Sequence, residues 1–512
     1  MTATTNTTSE PAWILVRFAG EVATKSSRVR ARFQRRLAEN LRDALRSAGV
    51  RHRLRPGWSR LFVETDDPAA ALDASARVFG LSSLSPIAAR CRADLDEIVR
   101  VAADRYAPRV RGRRFAVRAR RAGDHPFRSK DIEVQLGAAL LPHAKGVDLD
   151  RPEITVHVEV RGDTAYVFHE WVPGPGGLPL GVQGRGAVAL LSGGFDSAVA
   201  AWRVLRRGVP VDYVFCNLAD AAYERAVVQV AKHLADTWSY GTRPVLHVLD
   251  FGPIVDALRR DVRPNYVQVV LKRLLYRAAE RIAEATGREA IVTGESIGQV
   301  SSQTLTNLRA IDEVAGLPVL RPLLAFDKEE IVAESRRIGT YALSSKIQEY
   351  CALVPDRPVT AAPPEAAARE EARLDPALLA RAVEERRTLD LRSLDPSELV
   401  LPYVYVETIP EDAVVLDGRP GHAFEAARWP GSRHVDLDEL LSEFTALDRG
   451  ALYVLVCPLG LQSAVVAERM QRAGYRAYSL RGGARTLASL LEARGRAAAD
   501  AAAPGAEALG RP

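Results

Sequence analysis

Leu190-Leu191-Ser192-Gly193-Gly194-Phe195-Asp196-Ser197 is the stretch on which the fold turns. The wholly apolar run Ala187–Leu191 leads into it, as a strand buried on both faces of a parallel sheet would. A helix over Ala198–Arg207 is expected to leave it. Glycines let a backbone come close to a phosphate, and the N-terminus of the next helix offers unpaired N–H groups and a positive dipole. The GxxxxGK[ST] spacing of the commoner phosphate loop is absent. Further strands are expected at Val209–Phe215, Pro244–Phe251 and Glu289–Thr293, with helices between them. That alternation predicts a doubly wound parallel sheet.

Downstream, Val292-Thr-Gly-Glu-Ser-Ile-Gly-Gln-Val-Ser-Ser-Gln-Thr-Leu-Thr-Asn307 opens at the C-terminal end of an apolar strand. Open α/β sheets bind their ligands at that edge. Lys272 stands out by type, because only seven of the 70 basic residues are Lys. A lysine is a compact point charge suited to a phosphate.

Upstream, residues 12–19 predict a strand, and Val29, Phe33, Leu37 and Leu41 recur at helical spacing through Arg28–Leu45. A strand at Arg60–Glu64 and a helix near Ala69–Val78 follow. Phe115–Arg120 alternates apolar and basic residues, and Asp131–Leu141 predicts a helix. Ile154–Val160 and Thr164–Glu170 predict two strands joined at Arg161-Gly162-Asp163. Pro173-Gly-Pro-Gly-Gly-Leu-Pro179 is a breaker and a domain boundary. Residues 354–400, rich in Pro, Ala and Glu, predict a linker carrying one or two charged helices. From Val404 a compact α/β pattern returns, and the Ala/Gly/Pro-rich stretch Arg496–Pro512 predicts a disordered tail.

At 512 residues the chain is long enough for three or four domains, and 47% hydrophobic with 26% charged residues is ordinary globular usage. No membrane span is expected, and the polar start Met1–Pro11 lacks the apolar region of a signal peptide. The net charge of +6 is uneven: residues 1–180 carry 30 Lys and Arg against 21 acids, and the rest 40 against 43. A polyanion partner is expected at the basic N-terminal third. Val110–Lys130 alone holds Arg111, Arg113, Arg114, Arg118, Arg120, Arg121, Arg128 and Lys130 against one acid, interleaved with Phe115, His125 and Phe127. Phosphate contacts to an RNA would explain that window. Cys91, Cys216, Cys351 and Cys457 are too scattered for a disulfide framework, so a cytosolic protein with reactive thiols is expected. Cys457-Pro-Leu-Gly-Leu-Gln-Ser463 lies between a strand and a helix, where the helix N-terminus favours a thiolate. Cys91 and Cys216 sit in apolar contexts and are expected in cores. The nine His show no metal spacing, and no metal centre is expected.

SGGxDS at a strand–helix turn resembles the PP-loop ATP pyrophosphatases, which cut ATP between the α- and β-phosphates. Nearly the whole chain resembles the tRNA 4-thiouridine synthetases, sulfurtransferases also implicated in thiazole formation for thiamine. Gly20–Ser26 and Arg28–Phe33 resemble the family's ferredoxin-like domain, and Phe115–Arg121 with Leu136-Gly137 its THUMP domain. Leu190–Ser197, Lys272, Gly294, Gln299–Gln303, Arg321-Pro322-Leu323, Asp327-Lys328-Glu329 and Ile338-Gly339-Thr340 resemble its PP-loop domain. Glu349-Tyr350-Cys351 resembles the motif of one catalytic cysteine, and Cys457 falls where a rhodanese domain carries its persulfide, with Asp417, Arg419 and Gly482-Gly483 fitting that domain. The family commonly has Asn-Leu-Gly-Gly where this chain has Asn217-Leu218-Ala219-Asp220.

The resemblance implies an α/β multidomain chain: ferredoxin-like over 1–63, THUMP over 64–172, PP-loop over 173–355, a linker over 356–403, rhodanese-like over 404–490 and a tail over 491–512. ATP with Mg2+ would be held by Leu190, Leu191, Ser192, Gly193, Gly194, Ser197, Lys272, Gly294 and Gln303, with Asp196 catalytic. Arg118, Arg120, Arg121, Arg128 and Lys130 would hold tRNA. A cysteine desulfurase would load sulfane sulfur on Cys457 as a persulfide. Cys351 would resolve the transfer to a uridine, the eighth nucleotide of tRNA, through a Cys351–Cys457 disulfide. A sulfur-carrier protein of thiamine synthesis is a further implied partner. Two other readings of the residues are an ATP-dependent amide-forming ligase, which gives Cys457 no task, and a non-catalytic tRNA-binding protein, against which intact Asp196 and Lys272 speak.

Overall fold

The computed structural model describes residues 11–57, 60–218, 221–345, 357–395 and 404–502. It divides into two compact units, Met1–Pro179 and Leu180–Pro512. The division falls at the end of the Pro/Gly breaker.

The first unit holds two sheets. Strands β1 (Ala12–Phe18), β2 (His52–Pro56), β3 (Arg60–Thr65) and β4 (Leu81–Ile87) form an antiparallel sheet with α1 (Gly20–Ala23), α2 (Ser27–Ser47) and α3 (Pro68–Ser75). Ile14, Leu15 and Val16 of the central β1 are wholly buried. Helix α2 buries Phe33, Leu37, Leu41 and Leu45, the stripe its spacing predicts. The boundary expected between residues 63 and 64 lies inside β3, and the sheet runs on through β4. The second sheet comprises β5 (Ala89–Arg92), β6 (Arg114–Ala122), β7 (Gly146–Val147), β8 (Ile154–Arg161) and β9 (Thr164–Phe168), with α4 (Leu95–Val110) and α5 (Ser129–Leu140) on one face. Strands β8 and β9 form the expected hairpin, turning at Gly162 with φ +53°. A short β10 (Val172–Pro173) then returns to pair with β4 of the first sheet.

The second unit begins with a six-stranded sheet in the order β15-β14-β11-β12-β13-β16. Its elements in chain order are β11 (Ala187–Leu190), α6 (Phe195–Arg206), β12 (Val211–Asn217), α7 (Ala221–Trp238), β13 (Val245–Asp250), α8 (Gly252–Asp261), α9 (Val267–Thr286), β14 (Ile291–Val292), α10 (Leu305–Asp312), β15 (Val319–Leu320), α11 (Lys328–Ile338) and α12 (Tyr341–Ser344). These strands pair in parallel, as expected. The chain leaves β11 to one side for β12 and β13, then crosses to β14 and β15 on the other. That reversal opens a crevice at the C-terminal end of β11, where such sheets bind ligands.

The expected linker is not a free tether over its described part, 357–395. Helices α13 (Pro364–Glu371) and α14 (Pro376–Glu384) pack on α9, and β16 (Arg387–Asp390) pairs antiparallel with β13. Ala362, Ala366, Ala367, Leu374, Leu379 and Val383 join the core of the sheet's helices. Glu370, 2% exposed, takes the Arg263 backbone N–H and guanidinium at 3.0 and 2.7 Å. Alanine lowers the apolar signal of a segment while still fitting a close helix–helix contact.

A fourth, all-parallel sheet has the order β17-β21-β20-β18-β19. It is built from β17 (Tyr405–Val406), β18 (Ala413–Asp417), α15 (Gly421–Ala426), β19 (Arg433–His434), α16 (Leu437–Glu443), β20 (Leu452–Val456), α17 (Leu461–Arg472), β21 (Arg476–Leu480) and α18 (Ala484–Ala502). The first part of the expected tail, 491–502, is helical, because α18 continues to Ala502; residues 503–512 lie outside the described residues. Among the described residues no helix is long and apolar enough to cross a membrane.

Candidate active site

Strand β11 delivers Leu190 and Leu191 to the crevice, and the Leu191 N–H bonds Val214 O at 2.9 Å. Gly193 then turns with φ +79°, a conformation that L side chains resist, and Gly194 becomes the N-cap of α6 with no side chain capping it. The first N–H groups of α6 therefore face the crevice. Ser197 stitches the loop: its hydroxyl donates to Gly194 O and accepts the Ser192 N–H, both at 3.2 Å. Gly294 passes so close that a Cβ there would lie 2.6 Å from the Asp196 carbonyl carbon and from Ser197 N. No other residue fits at that position.

A cavity of about 540 Å³ lies above this loop, lined by Leu190, Leu191, Ser192, Asp196, Ser197, Lys272, Gly294 and Gln303 among others. The expected nucleotide residues thus converge from β11, α9 and the segment after β14. The Asp196 carboxylate accepts from Lys328 Nζ at 2.8 and 3.0 Å and from Gln299 Nε2 at 2.8 Å. Lys272 Nζ lies 3.6 Å from Glu295 Oε1. Glu295 is 2% exposed. Its Oε2 accepts Tyr276 OH at 2.5 Å, and Thr293 Oγ1 and Arg321 Nε each at 3.0 Å. Burial alone would raise the Glu295 carboxyl, but Lys272, the Tyr276 hydrogen bond and Arg321 outweigh it and hold it below its ordinary range. The floor of the cavity is therefore an ionised carboxylate under a lysine whose other N–H groups remain for a ligand. Among the described residues, no cluster of three or more His, Cys, Asp or Glu could hold a metal ion on its own.

The second reactive group sits at the end of β20. Cys457 is 1% exposed, and its Sγ accepts Gly460 N–H at 3.2 Å, Ser463 N–H at 3.4 Å and Ser463 O–H at 3.2 Å. These donors come from the N-cap and first turn of α17, and they fix the sulfur within the loop. Gly483 closes the loop from behind, where a Cβ would meet Cys457 O at 2.2 Å. Asp417 and Arg419 form a buried bidentate pair at 2.9 and 2.7 Å, and Arg419 also donates to Ala427 O at 2.6 Å. They brace the loops beside the cysteine rather than touch it. Cys351 and Ala219-Asp220 lie outside the described residues. Burial pushes the Cys216 thiol up, and burial with Glu97 pushes Cys91 up to about 11, which keeps both as inert thiols.

In the first unit, Arg118 and Arg120 of β6 are exposed and share one face, opposite the helices, while Arg121 alternates to the other face beside His125. Arg128 and Lys130 are exposed at the start of α5. The five expected RNA contacts therefore lie on two faces, not one. Part of the basic excess is used internally. Glu159, 3% exposed, takes Arg17 at 3.3 Å and Arg60 and Arg161 each at 2.9 Å.

Four family models match in series: the ThiI ferredoxin-like domain over residues 13–85, the THUMP domain over 92–170, the thiamine biosynthesis protein (ThiI) over 181–375 and the rhodanese-like domain over 405–488. The tRNA sulfurtransferase of Desulfurococcus amylolyticus is 39% identical over 473 residues, covering 92% of this chain and 97% of that relative. The chain belongs to the tRNA sulfurtransferase family. The family's enzyme from Pyrobaculum aerophilum is 38% identical over 470 residues, 90% of this chain and 95% of its own. Among solved structures, a 4-thiouridine synthetase–RNA complex with bound ATP is similar, with a TM-score of 0.65 and 31% identity over 74% of this chain and 99% of that one. The four domain types expected from the sequence are present, in that order.

Three residues of this sulfurtransferase's site escaped sequence reasoning as site residues. Lys328 meets Asp196 from 132 positions away; the resemblance of Asp327-Lys328-Glu329 marked it as part of the PP-loop domain but not as the partner of Asp196. Glu295 and Gln299 sat inside the polar stretch after β14, where spacing alone does not say which side chain turns inward.

Proposed function

We propose that this sulfurtransferase uses ATP to adenylylate a tRNA uridine and then replaces the uridine O4 by sulfur from a persulfide on Cys457. One observation carries the reading. The same unit joins an uncapped glycine loop over a cavity of about 540 Å³ to a cysteine whose sulfur accepts three loop donors.

A carbonyl oxygen is a poor leaving group, and AMP is a good one. The α6 N-terminus, Lys272 and Lys328 would take the phosphate charge, with Lys328 exchanging Asp196 for a phosphate oxygen. Mg2+ would enter with the triphosphate and neutralise its charge. Asp196 is the carboxylate that offers it oxygen donors. The O4–Pα bond forms as pyrophosphate leaves. The terminal persulfide sulfur, supplied by a cysteine desulfurase, becomes bonded to C4 as the C4–O bond breaks and AMP departs. The Cys351 thiolate attacks Cys457 Sγ, so the two thiols are oxidised as the sulfane sulfur is reduced, and an external thiol restores them. The same loaded Cys457 would charge a sulfur-carrier protein of thiazole formation. The exposed arginines of the THUMP domain would hold tRNA.

Chain length supports a role for Cys351. It lies six residues beyond Ser345 and six before Arg357, a reach of about 20 Å from either end. Just past Arg357 the chain is fixed beside the cavity: Asn307 Nδ2 donates to Val359 O at 2.8 Å and to Ser301 O at 2.7 Å.

Purified protein with tRNA, ATP, cysteine and a desulfurase tests the reading by nucleoside mass analysis and AMP release. The expected products are 4-thiouridine and AMP in equal amounts, and neither with Asp196→Ala. Thiouridine formed without AMP would refute the adenylylation step.

A further inference from the structure

The Cys457 loop makes a specific contact outside its own sheet. Gln462, one residue before the Ser463 that bonds Cys457 Sγ, donates from Nε2 to Gly339 O at 2.7 Å. Gly339 ends α11 with φ +78°, and a Cβ there would crowd His233 Nε2 at 2.9 Å and Gln462 Nε2 at 3.1 Å. The preceding carbonyl, Ile338 O, is held by His233 Nε2 and Trp238 Nε1, both at 3.0 Å. The turn that receives the cysteine loop is thus anchored in the core of the PP-loop domain. Helix α12, which follows it, packs on both α16 and α17 of the rhodanese domain, and Ala342, Leu343 and Ser344 are at most 1% exposed.

Two features tie this contact to transfer rather than to packing alone. Helix α11 begins at Lys328, which grips Asp196, and ends at the turn that receives Gln462. Its 11 residues span about 16 Å, so the nucleotide loop and the sulfur loop bind the two ends of one strut. The described chain also leaves α12 at Ser345, six residues short of Cys351.

We propose that the Gly339 turn and helix α12 are the docking site at which the rhodanese domain hands sulfur to the PP-loop domain, and that Gln462 is the positioning residue for that step. This rests on the relay proposed above.

The test uses the full chain and three separate readouts: persulfide loading of Cys457 by a cysteine desulfurase, tRNA-dependent AMP release, and single-turnover thiouridine formation. Ala342→Glu sets a second carboxylate against Asp438 of α16, and Gln462→Ala removes the donor to Gly339. Both are expected to slow thiouridine formation at least ten-fold with loading and AMP release unchanged. Gln462→Lys, a donor long enough to reach the same carbonyl, is expected to recover most of the rate. Thiouridine formation at the wild-type rate in Ala342→Glu and Gln462→Ala overturns the proposal, as does a loss that loading matches in both. Failure of the wild-type protein to release AMP would instead sink the relay itself.

Discussion

Replacing Glu295 tests whether the cavity floor is an electrostatic unit. Its carboxylate is 2% exposed and takes three hydrogen bonds on one oxygen, with Lys272 at 3.6 Å from the other. Glu295→Ala leaves Arg321 with Asp312 and the Tyr276 hydroxyl oxygen, and deprives the buried Tyr276 O–H of the acceptor it donates to. Breaking a buried pair from one side costs about 3–5 kcal/mol. For a domain of this size that is a fall in Tm of roughly 6–20 °C. Glu295→Gln keeps the shape and most hydrogen bonds but not the charge, and should cost about 1–3 kcal/mol. The pH dependence has a definite sign. The carboxyl is held below its ordinary value of 4.5, so its contribution is complete above that value and is lost as pH falls through the lower folded pKa. Calorimetry of wild type and Glu295→Gln should show the full gap at pH 7 and a narrowing gap below pH 4. A gap under about 0.5 kcal/mol at pH 7 would show that the charge does not matter and refute the reasoning. ATP affinity is a second readout, since Lys272 loses its anchor and should bind ATP at least several-fold more weakly.

Lys328→Met should abolish AMP release and leave tRNA affinity within two-fold, measured by filter binding, because Lys328 acts at the nucleotide loop through Asp196, whereas the proposed tRNA contacts are the THUMP arginines. Replacing Arg118, Arg120 and Arg121 together by Gln should reduce the slope of log affinity against log salt by about 2–3, as each lost phosphate contact removes its share of released counterions. Asp438 is raised to about 6, first by burial and then by Asp436, so ionising it destabilises the fold as pH rises from 4 to 6. Asp438→Asn should therefore stabilise the protein by about 1–2 kcal/mol at pH 8 and by nothing at pH 4, read from urea midpoints.

What the sequence reveals depends on how local the cause is. The apolar run before Ser192, the paired glycines and the Arg161-Gly162-Asp163 hairpin act through neighbours in the chain, and all were legible. So was the cradle at Cys457, whose donors lie within six residues. The Asp196–Lys328 pair joins residues 132 apart through the sheet crossover, and no periodicity encodes that. Residues 357–395 misled for a different reason. Ala362, Ala366 and Ala367 bury fully or nearly so, yet by composition they resemble a tether. Arg17 and Arg60 also counted toward the basic N-terminal third, but both are committed to Glu159.

Packing of that segment changes how far the rhodanese domain can travel, and a final experiment follows from it. A free tether of some fifty residues would let the domain swing widely. Between Asp395 and Val404 only eight residues, 396–403, lie outside the described chain. If docking on α12 rather than tether length governs transfer, lengthening this stretch by ten Gly/Ser residues should change little. Closing a loop roughly twice as long costs about 0.6 kcal/mol more, which is a factor of about three in the docked population at most. Ala342→Glu, which leaves the tether alone, should cost ten-fold or more. Single-turnover thiouridine formation by the two variants side by side decides the matter. A tether insertion that cuts the rate as deeply as the α12 substitution, with Cys457 loading intact, would show that confinement and not the docking surface brings the sulfur to its acceptor.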